Sequence, residues 1–129
     1  MKLSEPDFKP YRMEAPDNCR LCPRDCQADR YSESRGYCNA GSGLEISSVC
    51  IHKGEEPPVS GVHGICNVFF SRCNLQCIYC QNYQISTNSC NVHFAERTLT
   101  DVTAEIASLL DSGCEALGFV SPSHMVPQM

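Results

Sequence analysis

Hydrophobic and polar positions follow two different periods in the second half of the chain. Residues 65–71, ICNVFFS, form a short apolar run rich in β-branched and aromatic side chains, which predicts a buried strand. In TDVTAEIASLLDSG, apolar residues recur at i, i+4, i+7 and i+8 from Val102, the period of a helix with one buried face. Residues 115–122, EALGFVSP, predict a second buried strand.

The ends of the predicted helix carry start and stop signals. Thr98, with Asp101 three positions later, is typical of an N-terminal cap, and Gly113 is typical of a helix end. Strand, loop, helix and strand in this order predict a βαβ unit with parallel strands. Two strands and one helix cannot cover both faces of a parallel sheet, so we expect the beginning of a larger domain, cut short.

The first half of the chain is predicted to be less regular. Its prolines predict a loose leader over residues 1–18, and its cysteines lie in an irregular segment over residues 19–50. We expect a short strand or hairpin arm over residues 43–52 and a loop over residues 52–64, where prolines and glycines cluster. The sequence therefore predicts two parts, an N-terminal segment over residues 1–60 and the start of an α/β domain over residues 61–129.

Composition narrows the environment of this domain. The 129 residues are 42% hydrophobic and 19% charged with a net charge of −5, which indicates a globular chain and predicts neither nucleic acid nor membrane as partner. No apolar signal segment opens the chain, so we expect a cytoplasmic protein in a reducing environment. There, eleven cysteines favour metal binding or redox chemistry over disulfides, and an odd number leaves one unpaired in any disulfide scheme.

Three of these cysteines, Cys73, Cys77 and Cys80, follow the first predicted strand with the spacing C-x3-C-x2-C. An iron–sulfur cubane held by protein alone takes four thiolates, and this set supplies three. Three protein ligands with one coordination position open are typical of a reactive metal site. Two alternatives remain: a zinc site, or a helix face on which the three cysteines at i, i+4 and i+7 simply pack.

The stretch CNLQCIYC resembles the cluster motif of the radical S-adenosylmethionine enzymes, C-x3-C-x-aromatic-C, in the loop after the first strand. The resemblance implies an α/β fold, here the first βαβ unit of a partial (β/α)6 barrel. It implies that Cys73, Cys77 and Cys80 hold a [4Fe-4S] cluster, that S-adenosylmethionine chelates the fourth iron, and that Tyr79 lies near its adenine. Reductive cleavage would give methionine and a 5′-deoxyadenosyl radical, which abstracts hydrogen from a substrate.

Further stretches resemble a subgroup related to pyruvate formate-lyase activating enzymes. They are HKGEEPPVSG, FFSRCNLQCIYCQNYQIS and VSPSHMVPQ, with CRLCPRDC ahead of the barrel. The kinship implies an oxidoreductase that takes electrons from flavodoxin or ferredoxin and suggests a glycyl-radical protein as substrate. The family's GGE-type motif for the cosubstrate's amino group is absent, and Ser121 to His124 occupy its place. We therefore expect Ser123 and His124 to contact S-adenosylmethionine, and we expect the missing later strands to limit the activity of this stretch alone.

A second group of cysteines precedes the predicted domain. Cys19, Cys22, Cys26 and Cys38, spaced C-x2-C-x3-C-x11-C, predict a second metal site that holds zinc or an auxiliary iron–sulfur cluster, with reduced structural thiols as the alternative. The remaining cysteines are expected to pack in the core. For the chain as a whole, the alternative to a radical enzyme is a non-catalytic cysteine-rich module that binds zinc or an iron–sulfur cluster.

Overall fold

The computed structural model describes residues 17–32 and 35–129. Its elements are β1 (Ile46–His52), α1 (Pro57–Ser60), β2 (Ile65–Phe70), α2 (Tyr83–Ser86), α3 (Leu99–Asp111) and β3 (Leu117–Val120), followed by a 3₁₀ turn at Val126–Gln128. The predicted leader lies almost entirely outside the described residues, which begin at Asp17. The chain is a mixed α/β fold, and the described residues before β1 are irregular.

The three strands form one sheet in the order β1-β2-β3. β1 runs antiparallel to β2, with Val49 opposite Val68, and β3 runs parallel to β2, with Phe119 opposite Val68. The predicted βαβ unit is therefore confirmed as β2, α3 and β3, and the strand predicted within residues 43–52 is confirmed as β1. The predicted domain boundary between residues 60 and 61 stays a prediction. β1 precedes this boundary in the sequence but belongs to the same sheet as β2 and β3.

Helix α3 begins and ends at the predicted signals. The Thr98 hydroxyl oxygen accepts a hydrogen bond from the Asp101 backbone N–H at 3.1 Å, and Gly113 adopts a left-handed φ of 114° just after the helix. Val102 is buried, and Ile106 and Leu109 pack against the core. No helix in residues 17–32 and 35–129 combines the length and the apolar character needed to cross a membrane.

The core lies between the sheet and α3. Along β2, Cys66, Val68 and Phe70 point into this core, because alternate residues of a strand face opposite sides. Its buried residues are Cys38, Ala40, Leu44, Ile46, Val49, Cys66, Val68, Phe70, Val102, Cys114 and Met125. Residues 38–44 thus close one side of the core, which ties the irregular N-terminal segment to the α/β unit.

β3 is less buried than its sequence predicts. Leu117 is 39% exposed and Phe119 is 44% exposed, because β3 is an edge of the described sheet with no further strand beside it. An apolar groove of ≈ 310 Å³ runs between these side chains and α3, where Leu110 is also exposed. The strand is present as predicted, but it is half-exposed rather than buried.

The loop predicted over residues 52–64 contains one short helix. α1 begins at Pro57, directly after Glu56, and the Gly61 N–H donates to the Pro57 carbonyl at 3.0 Å. The Pro-Pro pair predicts irregular structure, but proline is favoured in the first helical turn, where its fixed φ fits and its missing N–H is not needed.

Candidate functional site

The loop after β2 carries Cys73, Cys77 and Cys80. Residues 71–82 contain turns and bends but no helix, and α2 begins only at Tyr83. The alternative of a packed helix face is therefore wrong. Cys73 is buried, Cys80 is half-buried and Cys77 is exposed, so the loop carries its thiols from the interior to the surface. It leaves the carboxyl end of a strand that is paired in parallel, the edge where α/β sheets place ligands.

Hydrogen bonds to side-chain amides fix the shape of this loop. Gln76 adopts a left-handed φ of 57°, and its amide donates to the Cys73 carbonyl at 3.1 Å and to Asn88 Oδ1 at 2.9 Å. Asn88 Oδ1 also accepts from the Cys73 backbone N–H at 3.4 Å. The Arg72 N–H donates to the Ile85 carbonyl at 2.6 Å and closes the base of the loop. Sequence reasoning missed Gln76 and Asn88, whose roles depend on contacts that the motif spacing does not reveal.

Two of the thiols have polar neighbours. The Leu75 backbone N–H donates to Cys73 Sγ at 3.4 Å, and Cys80 Sγ lies 3.3 Å from Ser86 Oγ. Within the part of the chain that the structure describes, no three His, Cys, Asp or Glu side chains are gathered closely enough to hold a metal ion. The loop therefore carries three donors on eight consecutive residues without arranging their sulfur atoms around a common point.

By its chemistry, the donor set fits an iron–sulfur cluster or zinc. All eleven cysteines lie in the described ranges and are free thiols, so Cys73, Cys77 and Cys80 are not committed to disulfides. Thiolate is the protein ligand of iron–sulfur clusters, and hydrogen bonds to the sulfur atoms tune their potentials. The N–H of Leu75 already supplies one such bond to Cys73. Binding would require the three sulfur atoms to move closer together than they lie in the described residues.

In the N-terminal group, Cys19, Cys26 and Cys38 lie near enough to influence one another's ionisation, although the described residues do not gather them into a metal-binding group. Burial raises the pKa of Cys26, but interactions with the backbone of Tyr37, Ala28 and Cys26 itself and with the Cys19 side chain favour the thiolate, and the balance lowers this pKa. Burial, together with the neighbouring Cys19 and Cys26, raises the pKa of Cys38. Among the described thiols, Cys26 is therefore biased toward thiolate. Cys22 is half-buried in the same turn, and its carbonyl accepts from the Asp25 N–H at 3.0 Å.

The side chain of Arg24 joins the two cysteine groups. Its Nε donates to the Asn74 carbonyl at 3.0 Å and its Nη2 to the Leu75 carbonyl at 3.2 Å, while its guanidinium lies 4.0 Å above the Tyr37 ring. The two hydrogen bonds to the loop span 50 and 51 residues of sequence. Arg24, the second arginine of CRLCPRDC, thus supports the loop that carries Cys73. In the sequence these are two separate motifs, and their spacing does not reveal the contact.

The three predicted cosubstrate residues lie in different environments. Tyr79 is 86% exposed on the cysteine loop, and Ser123 is exposed after β3. His124 is only 2% exposed, and its Nε2–H donates to the Ser71 carbonyl at 2.9 Å, just before the cysteine loop. Burial lowers the pKa of His124, which keeps its imidazole neutral at pH 7. His124 therefore lies beneath the loop and its contact supports the start of that loop.

A buried ionic cluster lies under the same loop. Glu45 accepts from Arg72 Nε at 2.6 Å, and both side chains are at most 3% exposed. Arg30 is also buried, and it donates to the Gly41 carbonyl at 2.9 Å and the His124 carbonyl at 2.7 Å. Because buried charges are costly unless paired and hydrogen-bonded, these contacts hold residues 71–73 in one arrangement. Arg72 has a left-handed φ of 64°, a strained position directly before Cys73.

On the face of the sheet away from α3, a polar cavity of ≈ 430 Å³ lies next to the end of the cysteine loop. Its lining residues are His52, Gly54, Glu55, Asn67, Phe69, Gln81, Asn82 and Val120. The Asn67 side chain lies over Gly118, where a Cβ atom would collide with its Oδ1. The sequence prediction gave Gln81 and Asn82 no role; both line this cavity.

Of the other cysteines, Cys66 and Cys114 are buried as expected, but Cys50 and Cys90 are exposed. The prediction that all four pack in the core is wrong for the latter two. Cys50 lies on β1 and Cys90 in the loop before α3, where no layer covers them in the described structure.

Comparison with known proteins gives little functional information. The chain matches no protein-family model and no solved structure. An uncharacterized protein of Methanocaldococcus jannaschii is 36% identical over 69 residues, which make up 54% of this chain and 19% of that relative. The match thus spans less than a fifth of the relative's length. The likeness carries no activity, since that protein is itself described only as uncharacterized.

Proposed function

We propose that this chain is the cluster-binding part of a radical S-adenosylmethionine enzyme related to the activases of pyruvate formate-lyase. The observation that carries the proposal is the position of Cys73, Cys77 and Cys80, free thiols on one non-helical loop at the carboxyl end of β2. A zinc site or a packed thiol needs no such placement, whereas a reactive cluster needs access to a ligand-binding edge.

In this proposal the chain's own residues hold and orient the cofactor. Cys73, Cys77 and Cys80 would ligate three irons of a [4Fe-4S] cluster, and Gln76 and Arg24 would keep their loop in place through the carbonyls that they contact. A bound and reduced cluster would supply the electron for reductive cleavage of S-adenosylmethionine. Flavodoxin or ferredoxin would be the electron donor, and a glycyl-radical protein is a proposed substrate.

The polar cavity beside Gln81 and Asn82 supports the same reading. It lies on the sheet face opposite α3, which in a (β/α) barrel is the inner face, and a nearly buried amide, Asn67, projects into it. We propose that the cavity admits part of the cosubstrate or substrate. The exposed edge of β3 and the apolar groove beside it are where the next strand and helix of such a barrel would pack.

The test is anaerobic reconstitution of the 129-residue chain with iron and sulfide, followed by measurement of bound iron, sulfide and zinc. Wild type should hold about four more irons than the Cys77→Ala variant, because a cubane cannot stay bound on two thiolates. Cys50→Ala is the matched control, since Cys50 is also an exposed thiol but lies on β1. Equal iron in wild type and Cys77→Ala, or zinc alone in both, would contradict the proposal.

Activity is a separate measurement. With dithionite and S-adenosylmethionine, reconstituted wild type should release 5′-deoxyadenosine, and Cys77→Ala should release none. Iron binding without cleavage would favour a cluster-binding module over an enzyme for this stretch of chain.

A second metal site at the N-terminal cysteines has its own support. Cys19, Cys26 and Cys38 influence one another's ionisation, and the pKa of Cys26 is lowered, which favours the thiolate form that binds metals. This site, with Cys22 as fourth ligand, would hold zinc or an iron–sulfur cluster and would suit the alternative of a non-catalytic module. Cys26→Ala should remove this metal while leaving the iron that depends on Cys77. Loss of both metals together would contradict two separate sites.

A further inference from the structure

A second polar cavity, of ≈ 360 Å³, lies between the segment before β1 and the loop before α3. Arg35, Asn39, Arg72, Cys90 and His93 line it. Among these lining residues, two are permanently cationic, one is an imidazole and none is a carboxylate. The wall contributed by the described residues is therefore positively charged, although the chain as a whole has a net charge of −5.

Arg72, one of the residues that line this cavity, has an unpaired buried donor. The residue is 3% exposed, its Nε donates to Glu45, and its Nη2 donates to the Val92 carbonyl at 3.2 Å. Its Nη1 is buried and has no hydrogen-bond partner in the described residues. Buried guanidinium N–H groups are almost always paired, so this orphaned nitrogen indicates a missing acceptor.

Within the described residues, the carboxylate that pairs with these arginines, Glu45, is already engaged. Glu45 accepts from Arg72 Nε at 2.6 Å, from Arg35 Nη1 at 3.4 Å and from the Gly41 N–H at 3.5 Å. One negative charge is thus shared between two guanidinium groups, which leaves an excess positive charge at the cavity. The Arg35 guanidinium lies against Gly41, where a Cβ atom would come within 3.0 Å of Nη1.

We infer that this cavity binds a phosphate group, either as inorganic phosphate or as part of a small phosphate monoester. Arginine forks are well suited to the oxygens of phosphate, which offers more acceptors than a carboxylate for the free nitrogen of Arg72 and the remaining donors of Arg35. Because Arg72 directly precedes Cys73, a bound phosphate would also hold the start of the cysteine loop. The site needs no metal and does not depend on the proposed radical chemistry.

The experiment uses the metal-free 129-residue chain under reducing conditions. Isothermal titration calorimetry at constant ionic strength compares inorganic phosphate, glycerol phosphate and acetate. If inorganic phosphate and glycerol phosphate both bind saturably, the cavity accepts the phosphoryl group of a larger ligand. If only inorganic phosphate binds, the ligand is the free phosphate ion. Equal binding of acetate, or no saturable binding of either phosphate, would overturn the inference.

Matched variants locate the site. Arg35→Gln should weaken phosphate binding by about tenfold or more, since it removes a charged donor from the cavity wall while leaving Arg72 paired with Glu45. Arg20→Gln is the control. Arg20 is an exposed arginine that forms a 3.6 Å ion pair with Asp25 and does not line the cavity. Equal weakening in both variants would show a general effect of net charge and would overturn the assignment. Circular dichroism of Arg35→Gln confirms that any loss is not due to unfolding.

Discussion

Replacing Glu45 by glutamine should destabilise the protein far more than the same change at a surface ion pair. Glu45 and Arg72 lie 2.6 Å apart with side chains that are 2% and 3% exposed. Glu105 and Arg97 lie 2.7 Å apart, but their side chains are 40% and 28% exposed. The two pairs thus have nearly the same geometry and differ in burial, so Glu105→Gln is the matched control.

Burial sets the expected magnitude. Removing one partner of a buried ion pair leaves an uncompensated charge and costs about 3–5 kcal/mol of stability. The glutamine side chain in Glu45→Gln can still accept a hydrogen bond from Arg72, so we expect a cost near the lower end, about 3 kcal/mol. An exposed pair contributes below about 1 kcal/mol, because water already solvates both charges. Since domains are stable by only about 5–15 kcal/mol, the change at Glu45 should remove a large share of the total.

The assay is urea unfolding of the reduced protein, followed by circular dichroism. Glu45→Gln should move the midpoint to much lower urea with an unchanged slope, whereas Glu105→Gln should stay close to wild type. If the two free energies of unfolding differed by less than about 0.5 kcal/mol, burial would not be the deciding factor and the account of the ionic cluster would be wrong.

Three further changes test the rest of the fold by the same urea assay. Phe70→Ala, at a core residue only 2% exposed, should cost about 3–5 kcal/mol, and Phe119→Ala, 44% exposed on the edge strand, should cost clearly less; equal costs would contradict the described core. Thr98→Ala should cost about 0.5–2 kcal/mol because it removes the cap of α3, and Thr100→Ala in the same helix should not. The pKa of His124 is lower in the folded than in the unfolded protein, so the unfolded state binds the extra proton. Stability should therefore fall as pH drops below about 6.5, the ordinary histidine value, and His124→Gln should flatten that fall; an unchanged pH profile would refute the buried neutral imidazole.

Elements set by local patterns were predictable from the sequence. The apolar period from Val102 and the Thr98 cap predicted α3, and the β-forming run at residues 65–71 predicted β2. The parallel pairing of β2 with β3 followed from their order around one helix. In each case the signal lies within a few residues of the element that it specifies.

Features set by distant contacts were not predictable. The pairing of Glu45 with Arg72 joins residues 27 positions apart, and Arg24 reaches the cysteine loop across 50 positions. Nothing in the local pattern distinguishes a buried charge of this kind from a solvated one. The exposure of β3 likewise depends on which strand lies beside it, which its own four residues do not encode.

The candidate site divides in the same way. The spacing of Cys73, Cys77 and Cys80 indicated their shared loop, and the structure has them on such a loop after β2. The side-chain amides of Gln76 and Asn88 hold this loop through hydrogen bonds, and neither residue occupies a fixed position of the cysteine motif. Roles for Tyr79 and His124 in cosubstrate binding stay predictions.

The central claim is that three thiolates hold a cluster whose fourth iron is open to S-adenosylmethionine. Electron paramagnetic resonance of the reconstituted, dithionite-reduced chain, recorded with and without S-adenosylmethionine, tests it most directly. The account predicts the signal of a reduced [4Fe-4S] cluster that is absent in Cys77→Ala and that changes in wild type when S-adenosylmethionine is added. A signal that survives in Cys77→Ala, or one that S-adenosylmethionine leaves unchanged, would contradict it.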